Sequence, residues 1–198
     1  MATRVVWLTV LTLAVATAAS ASTLSLAPGS TLRLDGTSTL HPFSFTASEL
    51  RVDGDIAART PSRLVVEIPV AQLHSGESGL DKNMRKSLKA DQVPDIRFEL
   101  TGFQIDSTGT DSTVGITAQG RLSIAGVTRA IALQAGCRYG ADAVRARGQK
   151  ELLMTDFGVK PPTMMMGTIR TGDKVTVHFD LNLVEKADSI QAGKEGAR

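Results

Sequence analysis

The stretch Lys174-Val-Thr-Val-His-Phe-Asp-Leu-Asn-Leu-Val-Glu185 decides the fold of this chain. Apolar residues occupy every second position from Val175 to Leu183, and polar residues lie between them. Successive side chains of a β-strand point to opposite faces, so this alternation predicts a strand with one apolar and one solvent-facing side. Such a strand has to bury its apolar face against another layer of the protein.

The same alternation recurs along most of the chain. Only the segment from Ser78 to Ala90 has the composition of a helix, and Pro94 follows it. One helix of this length is too short to cover two sheets, so the apolar faces are predicted to meet one another in a sandwich or a closed barrel. The other apolar sets are Leu32 and Leu34; Phe43, Phe45 and Ala47; Leu64, Val66, Ile68 and Val70; Ile96, Phe98 and Leu100; Val114, Ile116, Ala118, Gly120, Leu122 and Ile124; Ile131, Leu133, Ala135, Cys137 and Tyr139; and Val144, Ala146, Gly148 and Leu152.

Two glycine-containing sites indicate how the strands run and connect. At Gly102 the alternation changes phase, because Phe103 and Ile105 carry the apolar side onward. An extra residue at a glycine is typical of a β-bulge, which bends the strand. Ala125-Gly-Val-Thr128 is a short link between two apolar sets, which favours a hairpin and an antiparallel order.

The N-terminal segment has the features of a secretory signal peptide. Arg4 precedes an apolar stretch from Val5 to Ala16, and small residues end in Ala19-Ser-Ala21. We therefore expect a signal peptide over residues 1–21, a domain over residues 22–185 and a polar tail over residues 186–198, in the periplasm or outside the cell. An uncleaved membrane anchor is the alternative, although the stretch is short for a span of about 20 residues.

The charge balance and the cysteine content restrict the partners of the protein. The 198 residues include 22 Lys and Arg against 20 Asp and Glu. This balance leaves no basic stripe to neutralise phosphates, so we expect no nucleic-acid partner. Cys137 is the sole cysteine, which excludes a disulfide within the chain. Its phase with Ile131, Leu133 and Ala135 favours a buried, inert thiol over an intermolecular disulfide. A homodimer stays open as a partner.

No catalytic or metal-binding signature is found. His41, His74 and His178 share no metal-ligand spacing, and no second cysteine can join them, so we expect no metal and no cofactor. His178 lies in the polar phase of its strand. His41 precedes Pro42 at a strand break, where a structural hydrogen bond is favoured and contact with a ligand is the alternative. Because neither a nucleophile elbow nor a phosphate loop occurs, we do not expect an enzyme.

The inward phase mixes small residues with large ones. Such a mixture either interlocks into a solid core or leaves a channel, since closed barrels of about eight strands can hold one small ligand. A tilted strand of about 11 residues makes a wall roughly 28 Å tall. A narrow lumen of that height suits a long flexible apolar chain better than a compact polar metabolite. The small residues are Ala118, Gly120, Ala135, Ala146 and Gly148, and the large ones are Phe43, Phe45, Phe98 and Phe179.

Two further features bear on an entrance to such a lumen. Lys150 falls in the phase of Ala146 and Leu152, and an inward charge is costly unless it is paired or solvated. A register change at Gly148 would turn Lys150 outward; without it, Lys150 is a cation at the cavity mouth for an anionic or polar head group. Pro161-Pro-Thr-Met-Met-Met-Gly167 is either a loop over one end of the core or a soft flap at a lipid entrance.

Short motifs lie in order between about Leu32 and Val184. They are Gly36-Thr-Ser-Thr-Leu-His-Pro-Phe43, Leu80-Asp-Lys-Asn-Met84, Leu88-Lys-Ala90, Pro94-Asp-Ile-Arg-Phe98, Gly120-Arg-Leu-Ser-Ile-Ala-Gly-Val-Thr128, Thr155-Asp-Phe-Gly158 and Gly172-Asp173. In this order and spacing they resemble the YceI-like family. The resemblance implies a lipocalin-like, eight-stranded antiparallel barrel, secreted to the periplasm, that holds a polyisoprenoid-type chain in its lumen.

We therefore predict an all-β, closed antiparallel barrel of about eight strands with one short helix, which carries or stores an amphiphilic lipid of isoprenoid type. One alternative is a structural or interaction module of the envelope stress response without a ligand. The other is an enzyme that acts on an isoprenoid or quinone through an inward pair such as His41 with Lys150. The candidates for the head group or mouth are His41, Lys150, Met164 and Met165. The candidate lumen wall is Phe43, Phe45, Val66, Ile68, Phe98, Leu100, Ala118, Gly120, Leu122, Leu133, Val177, Phe179 and Leu181.

Overall fold

A computed structural model describes residues 22–57, 60–108, 113–141, 143–164 and 168–186 of the chain. The described part is built mainly of β-strands, with one α-helix and two short 3-10 turns, Val70–Gln72 and Met154–Phe157. In chain order the elements are β1 (Ser22–Leu26), β2 (Thr31–Ser38), β3 (Phe43–Ala47), β4 (Arg51–Ala57), β5 (Thr60–Pro69), β6 (Leu73–His74), α1 (Ser78–Ser87), β7 (Asp95–Thr108), β8 (Thr113–Ile124), β9 (Val127–Tyr139), β10 (Ala143–Leu153), β11 (Thr163–Met164) and β12 (Ile169–Lys186).

The strands form a closed antiparallel barrel with eight positions around its wall. From β5 the ladder runs through β7, β8, β9 and β10 to β12. The other edge of β12 pairs with β2 and then with β1, which lie one after the other along it. Strands β3 and β4 share the next position, and β5 with β6 completes the circle. The predicted closed barrel is confirmed, and the sandwich is excluded because β1 and β2 leave β12 no free edge.

Strand β12 contains the stretch from which the barrel was predicted. It pairs with β10 from Lys174 to Val184, and the ladder has no register shift. Its apolar residues Val175, Leu181 and Leu183 are buried. On the opposite face, His178 points outward and its Nε2 lies 3.3 Å from a carboxylate oxygen of Asp35. The alternation therefore identified the inner and outer faces of this strand correctly.

The β-bulge predicted at Gly102 is present in β7. The register between β7 and β8 shifts between Leu100 and Gly102, and Phe103 lies inward beyond it. Ile105 was also expected to lie on the buried face. Its exposure of 62% shows that this prediction was wrong. Ile105 still pairs with the inward residue Ile116, so it keeps the predicted phase but lies near the end of the strand, where little covers it.

The helix is shorter than predicted, and strands β1 and β4 were missed together with the two-residue strands β6 and β11. Helix α1 ends at Ser87, because Lys89 turns to a positive φ of 55° and Ala90 N–H bonds to the Arg85 carbonyl. Strand β4 escaped notice because Arg51, Asp53 and Asp55 dominate its composition. Strand β1 has only five residues, too few for a clear alternation.

The outer surface of the barrel carries cross-strand ion pairs. Arg145 and Arg147 both bond to Asp180, at 2.7 Å and 2.8 Å. These bonds, of which that from Arg145 is the strongest influence, hold the pKa of Asp180 below its ordinary value. Exposed pairs of this kind contribute about 0–1 kcal/mol each to stability. Their main consequence is a polar exterior. The stability of the barrel therefore comes mainly from burial of the inner apolar face.

The two ends of the barrel differ. At the end that we call the helix end, α1 packs Leu80, Met84 and Leu88 against Leu73 and other buried wall residues. The turn after β10 brings the buried residues Phe157 and Val159 over the same end. The opposite end, here the far end, carries the connections β4–β5, β7–β8 and β9–β10. The helix end is therefore covered by two apolar segments.

Candidate ligand-binding cavity

A cavity of about 310 Å³ occupies the interior of the barrel. This volume lies at the lower end of the range of small-molecule sites, about 300–1,000 Å³. Side chains from every position around the wall line it, together with α1 and the segment that follows β10. Nearly all of them are apolar. Among the described residues, the polar ones in the lining are Asn83, Ser87, Tyr139, Lys150 and Thr171.

Twelve of the thirteen predicted wall residues line this cavity. They come from six strands, and the period of two along each strand brings them to the same side of the wall. That they contact a ligand stays a prediction. The twelve are Phe43, Phe45, Val66, Ile68, Phe98, Leu100, Ala118, Leu122, Leu133, Val177, Phe179 and Leu181.

Gly120 is the wall residue that does not reach the cavity. A Cβ atom placed on Gly120 would lie 2.3 Å from the Phe98 ring, so that ring already occupies the space above the glycine. Phe43 covers Gly36 and Phe179 covers Gly148 in the same way. The predicted mixture of small and large residues therefore interlocks at the glycines. The alanines Ala118, Ala135 and Ala146 instead line the cavity.

Lys150 points into the barrel. The ladder between β10 and β12 runs without a shift through Gly148–Phe179 to Lys150–Val177, so the register change that would have turned Lys150 outward does not occur. Lys150 is the one charged residue in the cavity lining within the described ranges. No ion pair to it is found among the described residues. The lumen therefore carries a positive charge near the helix end.

Cys137 and Tyr139 lie in the lining toward the far end. Cys137 is a free thiol with 3% exposure. Burial raises its pKa to about 11, so the thiol stays protonated at neutral pH. Burial also raises the pKa of Tyr139, with a smaller contribution from Cys137. Both side chains are neutral in the folded protein, and they leave this part of the lumen without charge.

The remaining candidates for a head-group site lie elsewhere. His41 is exposed at the corner between β2 and β3, where its Nδ1 lies 2.8 Å from the Pro42 carbonyl and its N–H bonds to Ser38 Oγ. It is outside the cavity lining, so the structure does not unite it with Lys150. Met164 ends β11 and pairs with Ile169, whereas Met165 lies outside the described residues.

Helix α1 contributes cavity residues that the sequence interpretation did not assign. Leu80, Met84 and Leu88 recur at every fourth position, which places them on one helix face, and this spacing could have identified them. The helix is joined to the chain before it by Asp81, which accepts bonds from Ser75 N–H at 2.8 Å and Ser75 Oγ at 2.6 Å. The Ser75 bonds hold the pKa of Asp81 below its ordinary value.

Neither a metal site nor a membrane-spanning helix occurs in the described part of the chain. His, Cys, Asp and Glu side chains there form no group of three or more that could hold a metal ion. No helix in those ranges combines the length and the apolar character needed to cross a membrane.

Comparison with known proteins identifies the family. The sequence profile of the YceI-like domain matches residues 18–183, which is most of the chain. The chain belongs to the YceI-like domain family. A comparison with curated protein sequences found no match.

Solved structures share the fold of this YceI-like chain. BcnA of Burkholderia cenocepacia is 14% identical, with a TM-score of 0.65 over 77% of this chain and 95% of that protein. A polyisoprenoid-binding domain from Saccharophagus degradans is 16% identical, with a TM-score of 0.62 over 82% and 98%. The YCEI protein of Campylobacter jejuni is 17% identical, with a TM-score of 0.57 over 71% and 82%. At these identities the likeness concerns the fold alone.

Proposed function

We propose that this protein binds a long apolar lipid, of polyisoprenoid type, inside its barrel and acts as a carrier or store. The observation that carries the proposal is the continuous apolar cavity through the interior. A flexible hydrocarbon chain that enters it leaves water, and each buried CH₂ group contributes about 0.8 kcal/mol. A membrane-derived lipid is the class of ligand that offers apolar surface without needing polar partners along its length.

The comparison with relatives supports the same ligand class. The Saccharophagus degradans protein that shares the fold is a polyisoprenoid-binding domain. The two folds align over 82% of this chain, and the apolar lumen of this barrel is the place where such a ligand could be held. In this chain, Phe rings cover the glycines of the wall, and alanines line the cavity.

We place the protein in the periplasm or outside the cell, after removal of residues 1–21. The support is the sequence of that segment, which combines Arg4, an apolar stretch and the Ala19-Ser-Ala21 site. A lipid carrier is useful in that compartment, because an aqueous space has to be crossed by molecules that water excludes.

A binding role is better supported than catalysis. The inward pair of His41 with Lys150, which an enzyme of this kind would use, is not assembled. The cavity also argues against a ligand-free module with a solid core. Turnover of a quinone or isoprenoid by the purified protein, lost on Lys150→Met, would favour the enzyme instead.

The first test uses what the protein retains on purification. We expect mass spectrometry of an organic extract of natively purified protein to show one class of isoprenoid lipid. The lipid-free protein should then take up geranylgeraniol saturably. Tyr139 is the sole tyrosine, and the sole tryptophan, Trp7, lies in the predicted signal peptide, so tyrosine emission of the processed protein reports on the lumen directly.

Two adjacent substitutions provide matched controls for this titration. Ala118→Phe places a ring in the lumen and should abolish uptake, whereas Gln119→Phe places the same ring on the exposed outer face and should leave it unchanged. Circular dichroism checks that both variants fold. Empty protein from native purification, together with no saturable change in tyrosine emission, would refute the proposed function.

A further inference from the structure

The strand pairing of the barrel wall is interrupted between β9 and β10 near the helix end. The β9–β10 ladder stops at the Ala135–Gly148 pair, although both strands continue toward the helix end. Residues 130–134 of β9 still pair with β8, and residues 149–153 of β10 still pair with β12. Within the described residues no ladder joins these two stretches to each other. We call this place the side opening.

A surface recess lies over the side opening, and five residues line both this recess and the lumen. Its lining includes Arg129, Ala130 and Ala132 on β9, Glu151 on β10, Asp156 and Lys174. The lumen and the recess share Ile131, Lys150, Leu152, Leu153 and Phe157. A chain that passes between these shared residues moves from solvent into the apolar interior without crossing another part of the wall.

The side opening has the charges that an anionic head group would require. Lys150 faces it from the lumen side, and no ion pair to Lys150 occurs in the described ranges. Among the charged neighbours, Glu151 is already engaged by Lys174, with Nζ 3.1 Å from Oε1. The Arg129 Nε donates to the Asp156 carbonyl at 2.9 Å, which holds the turn after β10 against β9. Arg129 and Lys150 are thus the two recess cations without an ion pair in the described part of the chain, beside two acidic groups, Glu151 and Asp156. Of these two cations, Lys150 is the one that also lines the lumen.

The apolar cover of the helix end favours entry of the ligand through the side opening. Helix α1 packs three apolar side chains onto that end, and Phe157 and Val159 are buried beside it. A polar head group cannot leave through this apolar layer without losing its hydration. The side opening offers water to the head group and apolar surface to the chain within a few residues of each other.

We propose that the side opening is the entrance for the lipid and that Lys150 binds an anionic head group there, a phosphate or a carboxylate. The chain then runs from Lys150 through the lumen toward Cys137 and Tyr139 at the far end. This inference rests on the proposed function and deepens it, because it assigns the head-group chemistry and the direction of the bound lipid.

The head-group assignment is tested with three ligands that share one isoprenoid chain: geranylgeranyl phosphate, geranylgeranoic acid and geranylgeraniol. The unmodified protein should bind at least one of the two anions more tightly than the alcohol. Lys150→Met should weaken binding of that anion about tenfold more than it weakens binding of the alcohol, because a charge-assisted bond at a partly buried site is lost. Lys150→Arg should retain the preference, and Lys82→Met, on an exposed face of α1, should have no effect.

The outcomes separate this inference from the function on which it rests. If one of the two anions binds more tightly than the alcohol, the proposal is supported. The tighter anion then shows whether the head group is a phosphate or a carboxylate. Equal affinity for all three ligands, or a preference that survives in Lys150→Met, overturns the head-group site while lipid binding stands. Failure of the unmodified protein to bind any of the three overturns the lipid function as well.

Photolabelling tests the direction of the ligand without any substitution in the protein. A geranylgeranyl phosphate with a diazirine beside the phosphate should label residues 129–133 and 149–157. A second probe, with the diazirine at the chain terminus, should label peptides that contain Phe103, Cys137 or Tyr139. The reverse pattern, with the phosphate end near Tyr139, would overturn the assignment of the side opening.

Discussion

Single residues set the electrostatics of the lumen. Cys137 and Tyr139 are titratable, but burial raises the pKa of each and keeps both neutral. Lys150 is different, because its ammonium group faces both the lumen and the recess. One end of the cavity is therefore uncharged and the other carries a cation. This asymmetry suits an amphiphile better than a symmetrical hydrocarbon.

The Cys137 thiol should be unreactive in the folded protein. Its pKa of about 11, raised by burial from 9.0, leaves about 100-fold less thiolate at neutral pH than in an unfolded chain. Ellman's reagent should therefore react at least about 100-fold more slowly with native protein than with protein in urea. The unfolded chain loses this proton first, so the free energy of unfolding should fall between about pH 9 and about pH 11. Fast native labelling, or an unchanged pH dependence in Cys137→Ala, would contradict the assignment.

At the scale of elements, aromatic rings on one strand pack over glycines on its neighbours. Phe98 of β7 covers Gly120 of β8, and Phe179 of β12 covers Gly148 of β10. These contacts bring adjacent strands together where a larger residue would separate them. The β-bulge at Gly102 acts on the same pair of strands, since it shifts the β7–β8 register and returns Phe103 to the inside.

Gly120→Ala should destabilise the barrel and displace the Phe98 ring. The new methyl group would lie 2.3 Å from that ring and 2.6 Å from the Glu99 carbonyl oxygen, so strand and ring both have to move. We expect a loss of about 1–3 kcal/mol in the free energy of unfolding, measured by urea denaturation. Gly102→Ala is the matched control, because its methyl group meets nothing within 4 Å. Equal stability of the two variants would show that the interlocking is dispensable.

At the scale of the whole molecule, closure is what creates the cavity. Strand β12 joins the first and last parts of the chain, as it pairs with β10 on one edge and with β1 and β2 on the other. The barrel then encloses an apolar volume that its own side chains do not fill. A ligand in this volume binds only the folded state, because unfolding removes the lumen.

Lipid should therefore raise the thermal stability of the protein. Geranylgeraniol at 100 times its dissociation constant should add about 2.7 kcal/mol to the free energy of unfolding, seen as a higher melting temperature in calorimetry. The increase should be absent in Ala118→Phe, whose ring fills the lumen, and present in Gln119→Phe. A lipid-independent melting temperature in the unmodified protein would count against occupation of the lumen.

Much of the wall follows from the order of residues alone. Alternation in each strand is a local consequence of extended backbone, so Phe179 and His178 were assigned to opposite faces before any pairing was known. The Gly102 bulge was predictable for the same reason, since the phase of Phe103 reveals the extra residue. The charged strand Arg51–Ala57 was missed, because its pairing with β5 and β1 sustains it and its own pattern is weak.

What the tertiary structure decided depends on partners distant in the chain. Closure through β12, the rings over Gly120 and Gly148, and the exposure of Ile105 at a strand end all require the register between strands. The inward direction of Lys150 depends on an unbroken ladder past Gly148, and the side opening depends on a ladder that stops there on the other edge. A period of two specifies which face a side chain takes. The pairing of whole strands determines its height in the wall and the places where the wall is open.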